Sequence, residues 1–217
     1  MKNLIYKEFK LAMPLLTLVF LAFTLMTFIP GYPILCGAFF VCFGIFQSYQ
    51  MGREDNDIWY SVLLPVRKTD VVKAKYVTSI ILEMIAFFLC TVFTAIRMAF
   101  LSETVVYETN PLMNANPVFL AFVLLIFTVF NVIFLGGFFK TAYRIGKPFV
   151  IFIIVNFTII GIAEALHHFP GLHWLNVLDF SYTGRQIMIL TVAFIVYIVS
   201  TIVSCNASQK RFERIDL

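Results

Sequence analysis

Residues 11–49 read LAMPLLTLVFLAFTLMTFIPGYPILCGAFFVCFGIFQSY, two apolar runs separated only by Pro30, Gly31 and Tyr32. A membrane-spanning helix takes about 20 mostly apolar residues to cross about 30 Å of hydrocarbon. As one continuous helix, these 39 residues would rise about 58 Å, roughly twice that thickness. The chain must therefore turn back, and Pro30, Gly31 and Pro33 are residues that break a helix and permit a sharp reversal. The stretch reads as a tight helical hairpin with arms at 11–29 and 33–49. A second arm that only re-enters the membrane stays open as an alternative, because that arm is short and carries Gly37, Gly44 and Gln47.

Four further runs continue the pattern at 77–101, 118–139, 149–166 and 187–205. The expectation is a single all-α transmembrane domain over 1–217 with six spanning helices. Composition agrees: of 217 residues, 61% are hydrophobic and only 13% charged, about half the charged share of a soluble domain. No separate soluble catalytic domain of the usual size can be carved from so little polar chain. The first apolar run follows a basic start, as a signal peptide would, but lasts 19 residues, lacks a small-x-small cleavage pattern and leads into a second span. It reads as a retained helix. Cys36, Cys42, Cys90 and Cys205 lie in apolar runs with no C-x-x-C pair, so they read as small fillers rather than as a zinc site or disulfide framework.

Charge placement orients the bundle. With six crossings, the N-terminus, 50–76, 140–148 and the C-terminal tail share one side, and they hold all the Lys and Arg except Arg97 and Arg185. The positive-inside rule then places both termini in the cytoplasm. Glu103, Glu108 and Asp179 fall on the opposite face. The formal +4 charge is thereby accounted for as topology, and nucleic acid is not expected as a partner.

Two segments carry more than topology. At 100° per residue Leu4, Ile5 and Phe9 gather on one side of the N-terminus while Lys7 and Lys10 take the other, as in a short amphipathic helix lying in the interface, with Pro14 bending the chain into the bilayer. A disordered basic tail is the alternative. Residues 50–76 set Ile58-Trp59-Tyr60 and Val62-Leu63-Leu64 between an acidic and a basic cluster. Asp55 or Asp57 can cap a helix of about two turns that Pro65 stops. Such a helix is too short to cross and too apolar to stay solvated, so it either docks in a groove of a partner or packs beneath its own bundle.

The stretch Leu64-Pro65-Val66-Arg67-Lys68-Thr69-Asp70-Val71-Val72-Lys73-Ala74-Lys75-Tyr76 resembles the loop that joins the second and third membrane helices of small ABC-2 type transporter permeases. The basic amphipathic N-terminus, six spans and a length near 220 residues agree with that resemblance. Within the family, the nearest likeness is to membrane subunits that export phenol-soluble modulins. The resemblance implies a coupling helix within 53–64 that docks in a separate ATP-hydrolysing subunit. Carried over by position, Glu54, Asp55 and Asp57 would meet basic groups there, Trp59 and Tyr60 would be buried anchors, and Arg53, Ile58, Leu63 and Leu64 would complete the contact. It further implies an exporter in a bacterial cytoplasmic membrane, paired with a second copy or a sibling permease, moving amphipathic peptides. A lipid, glycolipid or drug is the alternative cargo, and a membrane assembly factor or sensor the alternative class.

The chain carries no G-x-x-x-x-G-K-[ST], G-x-S-x-G or H-E-x-x-H. No enzyme activity, cofactor or metal is therefore expected in this chain, and ATP with its Mg would belong to the partner. His167, His168 and His173 read as interfacial, with a metal site as the sharper alternative. Intramembrane polar groups are costly, which makes Glu83, Asn131 and Asn156 candidates for a substrate path or for helix-to-helix bonds. Arg97 lies about 21 Å beyond Glu83 along one helix and is expected to snorkel outward. The 26 Phe residues suit either an apolar cargo cavity or lipid-facing surface.

Overall fold

A computed structural model describes residues 2–12, 15–102, 104–108, 110–141, 144–178 and 180–215, and the described residues are helical with no strand. The N-terminal helix α1 (Lys2–Lys7) runs on as a π turn, Glu8–Ala12. The first arm of the hairpin is α2 (Leu15–Phe20) drawn out into a 3-10 helix, Leu21–Phe28. The second arm is α3 (Cys36–Glu54). Then follow α4 (Asp57–Leu63), α5 (Lys68–Phe100), α6 (Val105–Glu108), α7 (Pro117–Val129), α8 (Gly136–Phe138), α9 (Gly146–Leu166) and α10 (Thr183–Glu213).

The reversal at Pro30–Pro33 passes through Gly31 at φ 69°, a left-handed conformation that glycine adopts without a side-chain clash. The arms then pack antiparallel. Thr17 donates to the Gly44 carbonyl at 2.9 Å, and the Phe23 and Phe40 rings stack at 4.4 Å. Contact is close because two glycines face the first arm. A Cβ on Gly37 would lie 2.7 Å from the Phe23 carbonyl oxygen, and one on Gly44 would lie 2.6 Å from the Phe20 Cβ. Gly37→Val is therefore expected to cost about 1–3 kcal/mol by forcing the arms apart. Gly161→Ala, at a glycine with open space around it, is expected to leave stability unchanged or slightly raised. Thermal unfolding in detergent measures both.

Among the described residues, four helices are long and apolar enough to cross a membrane: Lys68–Phe100, Pro117–Phe138, Gly146–Leu166 and Phe180–Glu213. Lys2–Lys10 with Leu15–Phe28, bent by 86°, makes a fifth if taken as one broken span. The expected span 11–29 is thus not one straight helix from Leu11, and the expected bend at Pro14 lies outside the described residues. α3 is not apolar enough over its length to count among these spans, because its last turns carry Gln47, Gln50, Arg53 and Glu54. The third and sixth runs are longer than their apolar cores: α5 starts nine residues before 77 and α10 continues eight beyond 205. Those polar extensions stay helical because they bond to the bundle, as where Arg211 donates to the Gly136 carbonyl at 3.3 Å.

The central element is α7, which touches α3, α5, α9 and α10. Asn116 caps it by accepting from Val118 and Phe119 N–H groups, with Pro117 at the first helical position where no N–H is needed. Many of the phenylalanines serve neither a cavity nor the lipid surface. Phe46, Phe134, Phe149 and Phe152 interlock between α3, the π turn Phe130–Leu135 that follows α7, and α9, with Phe46 and Phe149 stacked at 3.8 Å. The four cysteines are free, with Cys36, Cys42 and Cys90 buried and Cys205 partly so.

Both chain ends come to one end of the bundle. Lys7 pairs with Asp57, and Lys68 donates to the Ile215 carbonyl at 2.7 Å.

Candidate functional site

The turn from α3 into α4 takes two residues, Asp55 and Asn56, with Asn56 at φ 54°. Asparagine tolerates that left-handed conformation better than most side chains. Neither expected aspartate caps α4. Asn56 occupies the cap position without a side-chain bond, and the Asp57 carboxylate is spent elsewhere.

Asp57 lies between two lysines. Lys75 Nζ, on α5, is 2.8 Å from its Oδ2, and Lys7 of α1 contacts its Oδ1. Lys75 also bonds Glu8 Oε2 at 2.8 Å, Lys7 reaches Glu8 Oε1 at 3.3 Å, and Lys7 donates to Ser61. Two acids and two lysines thus close a neutral cluster that ties α4 to the N-terminal helix and to the start of α5. Glu8 and Lys75 are buried, so each depends on the others for its charge to be tolerated.

Burial alone would raise the Asp57 carboxyl, but the charge of Lys75, and then the bonds and charge of Lys7, hold it below the usual aspartate value. A depressed folded value contributes stability that is fully present above the unfolded value, about 3.9, and is lost as pH falls through the folded one. The Asp57 contribution to the melting midpoint is accordingly expected to be full and independent of pH above about pH 5 and to be lost progressively below about pH 4, with Asp57→Asn flattening that part of the curve.

The opposite face of α4 is open. Tyr60 is 67% exposed and Leu63 79%, with Trp59 and Leu64 also exposed, while Ile58 is buried against the bundle. Arg53, Glu54 and Asp55 are exposed at the adjoining end of α3, and Gln50 donates to Glu54 at 3.3 Å. Of the residues expected to meet a partner, Arg53, Glu54, Asp55, Trp59, Tyr60, Leu63 and Leu64 are exposed. Asp57 and Ile58 face inward, and the cations beside Asp57 are Lys7 and Lys75 of this chain.

Inside the bundle the structure brings Glu83 and Asn131 together and leaves Asn156 apart. Glu83 Oε2 accepts from Asn131 Nδ2 at 2.9 Å and from Tyr197 Oη at 2.7 Å, and Asn131 also donates to Thr201. The π turn Phe130–Leu135 holds Asn131 between α5 and α10, and its carbonyl accepts from Ser204 at 2.9 Å. Tyr76 Oη then lies 2.9 Å from Ser204 and from Ser208. This chain of bonds joins α5, α7 and α10. Asn156 is buried on α9, and neither of its amide atoms has a hydrogen-bond partner among the described residues.

Arg97 does not snorkel. It is 0% exposed, donates to the Thr27 carbonyl at 2.6 Å and to Asn114 Oδ1 at 2.8 Å, and has its guanidinium 4.1 Å from the centre of the Tyr107 ring. Among the described residues, no group of three or more His, Cys, Asp or Glu side chains could hold a metal ion. His167 points to the Pro111 carbonyl at 3.2 Å, while His168 and His173 are exposed. Glu103, Asp179 and the Glu108 side chain lie outside the described residues.

The pairing of Lys7 and Lys75 with Asp57 is not legible in the charge placement that orients the bundle, in the amphipathic N-terminus or in the Leu64–Tyr76 motif. The signal for it is Glu8, an acid inside an otherwise basic N-terminus.

A family model described as ABC-2 family transporter protein matches residues 3–213, nearly the whole chain. No curated protein and no solved structure matches it.

Proposed function

Because the chain belongs to the ABC-2 transporter family, we propose that it is the membrane subunit of an ATP-driven exporter whose separate ATP-hydrolysing subunit docks on α4. The observation that carries this reading is the apolar outer face of α4, Tyr60 and Leu63 above all, on a helix anchored from behind by the ion-pair cluster. A helix held on one face and open on the other is suited to transmit a push. Closure of the ATP-hydrolysing subunits would displace α4, and the Asp57–Lys75 bond would pass that displacement to α5, whose 33 residues reach the far end of the bundle.

The six-span topology goes with this reading. The hairpin arms supply two crossings and the four long helices the rest, an even number, in keeping with both chain ends lying at the α4 end. The basic residues gathered at that end support reading it as cytoplasmic, and the sequence likeness to phenol-soluble modulin exporters supports reading the membrane as a bacterial one. A second copy of the chain, or a sibling permease, would complete the pathway, and ATP and Mg would bind the partner subunit. The cargo is an amphipathic helical peptide, a reading that rests on the sequence likeness to phenol-soluble modulin exporters.

Export of a lipid, glycolipid or drug is the second reading. It is favoured by an apolar groove of about 360 Å3 between α7 and α10, lined by Ala121, Phe122, Leu125, Met188, Val192 and Val196. The test reconstitutes the chain with its ATP-hydrolysing subunit in inside-out vesicles and follows ATP-dependent uptake of a labelled amphipathic peptide and of a labelled phospholipid. Peptide uptake is expected. Failure of both cargoes, together with no complex between the two proteins, would refute the exporter reading.

A further inference from the structure

Glu83 lies at the middle of α5, is 0% exposed, and has one carboxyl oxygen satisfied and one not. Oε2 accepts from Asn131 Nδ2 at 2.9 Å and from Tyr197 Oη at 2.7 Å. Oε1 is buried without a hydrogen-bond partner among the described residues, and so is Oδ1 of Asn131. These two orphans are the geminal neighbours of the atoms that make the 2.9 Å bond, one on each side chain. With Glu83 ionised both are acceptors, so neither can serve the other. A proton on Oε1 changes that: the acid gains an O–H donor, and the carboxamide has an oxygen free to accept it. Exchanging the two amide atoms of Asn131 leads to the same end, because two oxygens 2.9 Å apart require a hydrogen between them.

A charge on Glu83 would also stand alone. Every Lys, Arg and His of the chain is among the described residues, and none is paired with Glu83. On α5 the nearest cations are Lys75, about 12 Å away along the axis and bonded to Glu8 and Asp57, and Arg97, about 21 Å away and bonded to the Thr27 carbonyl and Asn114. The titratable groups within electrostatic reach on neighbouring elements are Tyr197 of α10 and Cys42 and Tyr49 of α3, each uncharged in its ordinary form at neutral pH. Charged side chains on α3 and α10 lie at the helix ends. The 3-10 arm, α7 and the turn Phe130–Leu135 carry no titratable side chain. Lys7, Glu8 and Asp57 are spent on the cluster at Lys75, while Lys2, Tyr6, Lys10 and Tyr60 are exposed. The cavities that flank this part of α5 are lined by Ser79 and Leu82 on one side and by Val77 and Ile80 on the other, and neither reaches Glu83. An ionised carboxylate taken out of water with no cation beside it is far costlier than the neutral acid.

We infer that Glu83 is a proton-binding site: it is a neutral carboxylic acid at neutral pH, and with Asn131 it forms a latch between α5, the π turn Phe130–Leu135 and α10. Tyr197, Thr201 and Ser204, which bond Glu83 and Asn131, recur at helical spacing on one face of α10, so the acid–amide pair sits in a continuous seam. The seam crosses the chain where the regular helix gives way to a π turn, a departure frequent at functional sites. Loss of the proton would leave an unpaired buried charge there, so the latch holds only while the acid is protonated. The site stands apart from α4 docking and from the cargo, and holds whether or not the chain is an exporter.

Infrared spectroscopy of the full-length protein at neutral pH, with glutamate isotope-labelled at its side-chain carboxyl carbon, tests this. Wild type is expected to show the C=O stretch of a protonated carboxyl, moved by the label. Glu83→Gln, neutral and nearly the same shape, is expected to remove one such band. Tyr197→Phe takes away one of the two hydrogen bonds to the carbonyl oxygen of the acid and is expected to shift the band to higher frequency, so the assignment stands should Glu83→Gln fail to fold. Carboxylate bands alone in wild type would mean that Glu83 is ionised and that water or a cation meets Oε1, which would overturn the inference. Protonated-carboxyl bands unchanged in strength by Glu83→Gln would do the same, as would bands unmoved by Tyr197→Phe where the glutamine variant does not fold.

Discussion

Replacing Tyr60 and Leu63 together by alanine is expected to weaken binding of the ATP-hydrolysing subunit by roughly a thousandfold while leaving the melting midpoint of the membrane chain unchanged. Anchors at the centre of a docking surface are worth about 2 kcal/mol or more each when truncated, and about 4 kcal/mol is close to three decades in affinity. The two effects separate because these side chains are 67% and 79% exposed in the lone chain, so their removal takes little from its own packing. Titration of the purified subunit against wild type and variant, with a melt of each membrane protein alone, measures both. Unchanged affinity in the doubly substituted protein would count against α4 as the docking element.

The second large effect is expected at Lys75. Lys75→Met keeps the length and apolar bulk of the side chain but leaves Glu8 and Asp57 sharing only Lys7. Removing one partner from a buried ion-pair cluster costs about 3–5 kcal/mol, because the charges left behind stay desolvated. For a chain of this size that is a fall of about 10 °C in the melting midpoint. Lys7→Met should cost less, since Lys7 remains partly exposed, with 18% of its side chain accessible against 5% for Lys75. Converting the buried members together, Glu8→Gln with Asp57→Asn and Lys75→Met, should recover much of the loss, as neutral replacement of a whole buried cluster often does. If Lys75→Met alone proves harmless, the cluster does not hold α4 to the bundle.

Both predictions concern residues that sequence reasoning had placed in one class. Asp57 and Tyr60 are three positions apart and were both read as partner contacts. On a seven-residue helix the difference between facing the bundle and facing away is a rotation, and the segment's pattern of acids, aromatics and leucines is compatible with more than one. The rotation is set by Lys75, which lies 18 positions further along the chain, and by Lys7, which lies 50 positions before.

Arg97 shows the same limit. A long cationic side chain near a helix end normally reaches the headgroups, and its position near the end of α5 gives no reason to expect otherwise. It stays buried because three separate segments supply its surroundings: the Thr27 carbonyl from the 3-10 arm, Asn114 from the loop before α7, and the Tyr107 ring of α6. The Glu83–Asn131–Tyr197 group is half legible. Its acid and amide are conspicuous in apolar runs, whereas Tyr197, at the middle of the sixth run, shows no partner for its hydroxyl until α10 is packed against α5.

What the amino-acid order determined unaided is whatever depends on local run length and local charge. Apolar stretches of about 20 residues call for membrane helices, Pro30 and Gly31 call for a reversal, and the Leu64–Tyr76 motif carries the family likeness, because each is a property of neighbours along the chain. Only the tertiary structure decided which face of α4 is free, that Lys7, Glu8, Asp57 and Lys75 neutralise one another, and that Arg97 is buried against the Thr27 carbonyl, Asn114 and the Tyr107 ring. Those outcomes depend on desolvation and on bonds between residues tens of positions apart, quantities that come into being only when the helices pack.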